Sequence, residues 1–281
     1  MSDRIFHLHM VSDATGETLE TMAKAALVQF EGIEVKKHLW PMIRSEVQMK
    51  RLVEDIKKDP GLVIFTIVKE EIRESLIRRC TELGLPLLPV IDPIIDSFAD
   101  FFGVEAKHLP GRQYVLDSEY FDRIEALQFS MAHDDGHLSS ESHEADIILV
   151  GVSRTSKTPT SIYLANRGYR TANIPYITGQ PMPRALEEDS QALIIGLTAA
   201  PERLIQIRTN RLRSLNETRR TDYVHPDIVA REVHECRRYC SGHGWHMIDV
   251  TRRSIEETAA EIISILNRRE AAEENQTKME F

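Results

Sequence analysis

Short runs of apolar β-forming residues alternate along the chain with longer stretches in which apolar residues recur every three or four positions. That alternation predicts strands threaded by helices, hence parallel strands joined by right-handed crossovers. Ile5 to Val11 alternates apolar and polar side chains, as a half-buried strand does. Leu19, Met22, Ala23, Ala26, Leu27 and Phe30 then mark one face of a helix. A strand over Ile33 to Trp40 closes at Pro41, and Val47, Leu52, Val53 and Ile56 form the next helix face. After the turn at Pro60-Gly61, Leu62 to Val68 is nearly continuously apolar, the pattern of a strand buried on both faces. Ile72, Leu76, Ile77, Cys80 and Leu83 point inward from a further helix, which Gly84 and Pro86 stop before a short strand over Leu87 to Ile91.

The pattern is then interrupted. Pro93 to Gly103 reads as a short helix, and Lys107 to Leu116 as a loop around Pro110-Gly111-Arg112. Ser118 can cap a helix carrying Phe121, Ile124, Leu127 and Met131. The sequence HDDG from His133 and the Ser/His/Glu-rich stretch Leu138 to Glu144 suit a surface linker. Strand patterns resume at Ile147, Thr171 to Ile177, Ala192 to Leu197 and Trp245 to Val250. Helices begin near Thr160, Pro181, Pro201, Pro226 and Ile255. The expected fold is α/β, with two parallel-sheet units of which the C-terminal one, where GVSRTSKT follows its first strand as a phosphate-binding loop would, is a P-loop kinase-like domain. The expected division is an N-terminal α/β domain over 1–105, a helix and linker over 106–145, a nucleotide-binding domain over 146–268 and a frayed tail over 269–281.

Chemistry concentrates between Ala145 and Thr160, ADIILVGVSRTSKTPT. A buried strand, a tight turn and a helix start carrying Lys-Thr describe a phosphate-binding loop. Against GxxxxGK[ST], Gly151, Lys157 and Thr158 match, and Ser156 stands where glycine is expected. Serine fits there if its backbone does not need a positive φ and its Cβ clears the phosphate. The plainer alternative is an ordinary strand-to-helix turn with an exposed lysine.

Other residues gain or lose interest beside this loop. Ser12, Asp13, Thr15 and Gly16 follow the first strand and could line a pocket, or Asp13 or Thr15 could simply cap the helix. Asp134 and Asp135 are either a turn or carboxylates placed for chemistry. Arg208 falls mid-arc on the apolar face of its helix and needs an anion, either a carboxylate or a phosphate. Asp249 ends an apolar strand and is a candidate base or magnesium ligand, with capping of the next helix as the rival account. Cys236, Cys240, His243 and His246 are zinc-ligand types, but two cysteines at i and i+4 on a helix do not wrap one ion. Cys80 sits at helical spacing among core residues.

Composition sets outer bounds. The 281 residues, 42% of them hydrophobic and 28% charged, are enough for two modest α/β units. A formal net charge of −9 argues against a general nucleic-acid binder. Three cysteines give no disulfide framework and suit a reducing cytoplasm, and no apolar run is long enough to span a membrane. A homodimer is the default assembly.

HMVSDATGET, HDDG, GVSRTSKTPTSIYLANRGYRTANIP and RSIEETA together resemble the bacterial regulatory proteins of pyruvate, phosphate dikinase and phosphoenolpyruvate synthetase. The resemblance runs from about residue 5 to 268. Synthetase-type members read GVSRSGKTPT at the loop, keeping the glycine; TSKTPTS and IYLANRGYRTAN look more like the dikinase group. It implies a bifunctional serine/threonine kinase and phosphorylase. Such an enzyme phosphorylates a threonine of the dikinase (alternatively of the synthetase) with ADP as donor. It reverses the modification with inorganic phosphate, releasing pyrophosphate. On that basis Gly151, Val152, Ser153, Arg154, Thr155, Ser156, Lys157 and Thr158 would bind ADP, and Thr158 would help hold Mg2+. Lys157 would neutralise the terminal phosphate, Arg208 or Arg154 would clamp the incoming phosphate, and Asp249, Asp135 or Asp13 would act as base. Two rivals remain: a small-molecule P-loop kinase, and a nucleotide-sensing module that inhibits a partner by docking.

Overall fold

The structure is a computed structural model, and it describes residues 5–107, 109, 118–134, 144–183, 186, 191–215 and 222–279. The chain divides into two units, Met1–Val115 and Leu116–Phe281. Each contains a four-stranded, all-parallel sheet.

In the first unit β1 (Phe6–Ser12), β2 (Val35–Trp40), β3 (Leu62–Thr66) and β4 (Leu87–Pro89) lie in the order β2-β1-β3-β4. The crossovers are α1 (Glu17–Leu27), α2 (Glu46–Lys58) and α3 (Glu70–Glu82), and α4 (Asp92–Phe102) follows the last strand. Alternation along β1 sends Leu8 and Met10 to one face, against Leu19 and Ala23 of α1. It sends Val11 to the other, against Met49, Leu52, Ile72 and Leu76 of α2 and α3. Met22 and Phe30, expected on the inner face of the first helix, are 43% and 62% exposed. α4 buries no residue fully, despite its apolar sequence.

The second unit repeats the order. β5 (Ile147–Gly151), β6 (Thr171–Pro175), β7 (Leu193–Thr198) and β8 (His246–Asp249) run β6-β5-β7-β8. Its helices are α5 (Ser118–Ala132), α6 (Lys157–Ala165), α7 (Pro201–Ser214), α8 (Pro226–Gly242) and α9 (Ile255–Met279). Ile147, Leu149, Ile195 and Leu197 pack on Leu164 of α6 and on Ala259 and Ile262 of α9. Ile148, Val150 and Ile174 pack on Leu204, Val229, Val233 and Cys236 of α7 and α8. The order 2-1-3-4 is that of a doubly wound sheet, whose ligand crevice lies at the carboxyl ends of the first and third strands.

Two features differ from the sequence expectation. α5, expected in a separate linker, packs on α6 and the edge strand β6, and belongs to the second unit. Ser130 Oγ accepts the Thr171 N–H at 3.1 Å and the His133 carbonyl accepts the Asn173 N–H at 3.0 Å. The helix therefore covers amides that an edge strand would leave unpaired. At the other end α9 continues to Met279, where a frayed tail was expected beyond Asn267. Arg-Arg-Glu-Ala-Ala-Glu-Glu is strongly helix-forming, and Arg269 donates to Glu273 at 2.8 Å one turn on. Half of the short helix expected from Pro181 to Glu188 falls outside the described residues.

Candidate functional site

β5 is central in its sheet, so the turn that follows it opens at the switch point beside β7. Gly151 ends the strand because nothing larger fits: a Cβ would collide with the Leu197 carbonyl oxygen and lie 2.7 Å from Thr155 Oγ1. Val152 to Ser156 then make the turn into α6. Arg154 and Ser156 have φ of 71° and 62°, in the left-handed region. The sequence condition on Ser156, that its backbone need no positive φ, is therefore overturned. Serine occupies a glycine-type conformation here, at a cost of about 1–2 kcal/mol. Strain of this kind persists where surrounding contacts over-determine it. Left-handed residues alternating with residues of negative φ are the backbone pattern of a nest, in which successive amides can face one anion.

Ser156 is also the N-cap residue of α6 and gives it no side-chain cap, so the positive end of the helix faces the turn. Lys157 is 6% exposed, and its Nζ donates to the Val152 carbonyl at 3.2 Å. Thr155, fully buried, donates to the same carbonyl at 2.9 Å. Beneath the turn, the Cys240 thiol donates to Cys236, and this outweighs burial in holding the Cys236 thiol below its ordinary range; Lys157 and the Val152 N–H act in the same direction.

Two side-chain oxygens and one amide nitrogen meet at the start of α6. Thr158 Oγ1 donates to Asp134 Oδ1 at 3.0 Å, and the Asn173 side-chain amide donates to both Thr158 Oγ1 (3.0 Å) and Asp134. Asn173 is fully buried, and its Oδ1 has no hydrogen-bond partner. Asp134 arrives here because α5 ends against β6. Asp135, the neighbour expected to be catalytic, lies outside the described residues.

Arg208 is 1% exposed, and its anion is a carboxylate: Nη2 lies 2.8 Å from Glu232 Oε2. Nη1 donates to the Tyr223 carbonyl at 3.0 Å, Nη2 to the Ser153 carbonyl at 3.2 Å, and the guanidinium sits 4.7 Å from the Tyr223 ring centroid. Tyr223 Oη is 3.0 Å from Ser153 Oγ and accepts from Arg154 Nε at 3.4 Å. Of the two partners open to Arg208 from sequence, the protein's own carboxylate is the one present. Arg208 shapes the turn through Ser153.

Asp249 stands at the end of β8, separated from β5 by β7, which is about 10 Å of strand spacing. Its Oδ1 accepts the Thr251 N–H at 2.9 Å and the Thr251 hydroxyl, and Oδ2 lies 3.3 Å from Arg237. Burial pushes its carboxyl up, but Thr251, Arg237 and Arg253 together hold it below the ordinary range. Thr251 Oγ1 in turn accepts the Ala200 N–H at 2.8 Å, so the described partners of Asp249 build the β8 corner and include no residue of the phosphate-type turn. Nor does Asp249 cap α9. Ser254 and Glu257 form that capping box by exchanging bonds of 2.8 and 3.1 Å.

In the first unit Asp13 is 2% exposed and caps no part of α1, whose N-cap is Gly16 with φ 88°. Its Oδ2 instead accepts the N–H groups of Val68 (2.8 Å) and Lys69 (3.3 Å) at the start of α3. Ser12 Oγ accepts the Ala14 N–H at 3.1 Å and the Thr66 hydroxyl at 3.0 Å. Of the four zinc-type residues in the second unit, Cys236 and Cys240 are buried in the core and His243 and His246 exposed, and among the described residues they form no metal-ligating group.

Asn173, Tyr223 and Glu232 have no counterpart in the sequence reading. A lone asparagine inside the apolar strand Thr171–Pro175 was a usable signal, since a buried amide needs partners. Tyr223 and Glu232 had none, lying far downstream of the turn they support.

A doubly wound sheet with a lysine-bearing turn at its switch point makes this an α/β protein with two all-parallel sheets. The kinase/pyrophosphorylase family profile matches residues 8–263, and the chain belongs to that family. Curated relatives provisionally named pyruvate, phosphate dikinase regulatory proteins are similar along almost their whole length. The one from Rhizorhabdus wittichii is 55% identical over 268 residues, 95% of this chain and 98% of the relative. Those from Novosphingobium aromaticivorans and Rhizobium meliloti are 52% and 47% identical, covering 95% and 92% of this chain and 95% and 96% of theirs. Among the described residues no helix is long and apolar enough to cross a membrane.

Proposed function

We propose that the chain is a cytoplasmic phosphotransferase acting on pyruvate, phosphate dikinase through the β5–α6 turn. In the forward direction a dikinase threonine hydroxyl attacks the β-phosphorus of ADP; the new P–O bond forms as the bond to AMP breaks. In reverse, inorganic phosphate attacks the phosphothreonine, giving pyrophosphate and the free hydroxyl. The observation that carries this reading is the turn itself: two left-handed residues, an uncapped helix start and a buried lysine, in a chain about half identical to dikinase regulatory proteins.

The amides of Ser153 to Lys157 would receive the diphosphate, and Lys157 would leave the Val152 carbonyl for the terminal phosphate. Asp134 would accept the proton of the attacking threonine. The Thr158 hydroxyl and the Asp134 carboxylate are hard oxygen donors beside the turn, of the kind that hold Mg2+. The ion would supply charge neutralisation on the phosphoryl oxygens. Arg208 and Tyr223 would keep the turn in shape through Ser153.

The test is transfer of label from β-labelled ADP to purified dikinase. Wild type should label a dikinase threonine and return the label as pyrophosphate when phosphate is added. Lys157→Ala should do neither. Normal labelling by Lys157→Ala would sink the assignment. ADP and partner binding without label would favour a docking sensor, ATP turnover with a metabolite would favour a small-molecule kinase, and labelling only of phosphoenolpyruvate synthetase would move the target.

A further inference from the structure

In the first unit, four aromatic rings line one face across β1 and β2. His7 and His9 alternate along β1, His38 and Trp40 along β2, and His9 and His38 are cross-strand partners. His38 stacks with His9 at 4.6 Å and with His7 at 5.2 Å between centroids. His9 is fixed at both nitrogens. The Trp40 indole donates to its Nδ1 at 3.2 Å, so that Nε2 carries the proton and donates to the Asp59 carbonyl at 2.8 Å. His9 is fully buried. It holds Asp59, the residue that ends α2, beside the outer two histidines. Gly61 presses the same turn onto β1, since a Cβ there would collide with the His7 carbonyl.

His7 Nδ1 and His38 Nε2 face each other at 2.9 Å, and Asp59 Oδ1 lies 3.9 Å from His7 Nε2. One ligand-type atom from each of His7, His38 and Asp59 lies within 4.8 Å of the other two, and all three residues are partly accessible. Two imidazole nitrogens that face one another must share a single proton or a cation, because two N–H groups would repel. A tetrahedral zinc, with bonds of about 2.0–2.2 Å, spaces its ligand atoms about 3.3 Å apart, which small side-chain rotations reach here. Lys36 Nζ is 4.0 Å from Asp59 Oδ2 on a side chain 61% exposed, a mobile counter-charge that a dication can displace.

We propose that His7, His38 and Asp59 bind one divalent transition metal of the zinc class, which fastens the end of α2 to β1 and β2. Nitrogen and oxygen donors in a 2:1 ratio suit such an ion, and water would complete its shell. The plainer alternative is a histidine ladder that only packs; it gives Asp59 no reason to hold a cation.

The test uses the full chain stripped with chelator, then titrated with Zn2+ against a chromophoric competitor and separately with Co2+. The expected result is one ion per chain, a tetrahedral Co2+ spectrum without a thiolate band, and a higher melting temperature with Zn2+. His38→Gln and Asp59→Asn should each weaken binding by about 10-fold or more, and the double variant Cys236→Ser/Cys240→Ser should leave it unchanged. His7→Phe, which keeps a ring in the stack and removes a ligand, guards against a variant that fails to fold; metal-free circular dichroism checks each. Absence of stoichiometric binding, a thiolate band, or binding that survives His38→Gln and His7→Phe would overturn the site.

Discussion

In both units the first strand lies between the second and third, so the turn after it opens where the crossovers part to opposite faces. The two turns fill that place differently. After β1, the buried charge is Asp13, which already occupies the amides of Val68 and Lys69. After β5, the buried charge is Lys157, and the amides belong to a turn with two left-handed residues. An internal carboxylate at a cluster of N–H groups does electrostatically what a bound phosphate would do, and it repels one. One scaffold thus offers the same geometric opportunity twice, and the sign of one buried side chain decides which copy suits an anion.

The sharpest way to break that contrast is to change both charges. Lys157→Ala should lower phosphoryl transfer by about 1,000-fold or more, since it removes the cation that meets the transferred group. Asp13→Asn should leave the rate within about 2-fold, because its amide oxygen still accepts from Val68 and Lys69. If both variants abolish label transfer, the first turn takes part in the chemistry and the contrast fails. Arg208→Ala should come next: it strands Glu232 and frees Ser153 and Tyr223, for roughly 3 kcal/mol of lost stability in urea unfolding. Asp134→Asn should cut kcat about 100-fold with little change in melting temperature, as loss of a general base does. A fall in stability without a fall in kcat would make Asp134 only a spacer between α5 and α6.

A smaller test exchanges backbone demands between the turns. Ser156→Gly should raise stability by about 1 kcal/mol through relief of the left-handed strain. Gly16→Ser should lower it by at least as much, because φ is 88° and the new Cβ would lie 2.7 Å from Leu39 Cδ1. Thermal melts of both variants check the pair. The smallest effect is on pH. Burial pushes the Cys80 thiol, packed between α3 and its sheet, up to about 11 from 9.0. A raised folded pKa means that the neutral form is favoured on folding. Its contribution is complete below pH 9 and is lost as pH rises toward about 11. The unfolding free energy should fall more steeply over that interval in wild type than in Cys80→Ala.

Much of this was legible in the residues. The apolar runs placed all eight described strands to within a few residues, Pro201 and Pro226 marked two helix starts, and GVSRTSKT marked the turn. Arg208 was legible halfway: its place on an apolar arc demanded an anion, but not which one. At Asp249 the sequence leaves base and cap open alike, since a carboxylate at the end of a strand looks the same whether it faces a nucleotide or ties Thr251 and Arg237 into a corner. Asp134 and Asp135 are indistinguishable in sequence until the end of α5 is placed, and of the two only Asp134 lies among the described residues.

What the sequence determined by itself is local: side-chain periodicity sets strand or helix, and turn composition sets where the chain reverses. Those rules reach three or four residues, and they suffice for two parallel sheets and one lysine-bearing turn. Only the tertiary structure decided that Ser156 would adopt a left-handed backbone, that Thr158 would meet Asp134 24 positions away and that Arg208 would meet Ser153 55 positions away. Such contacts depend on strand order and on which face each helix covers, and both are settled by burying the whole set of apolar faces at once.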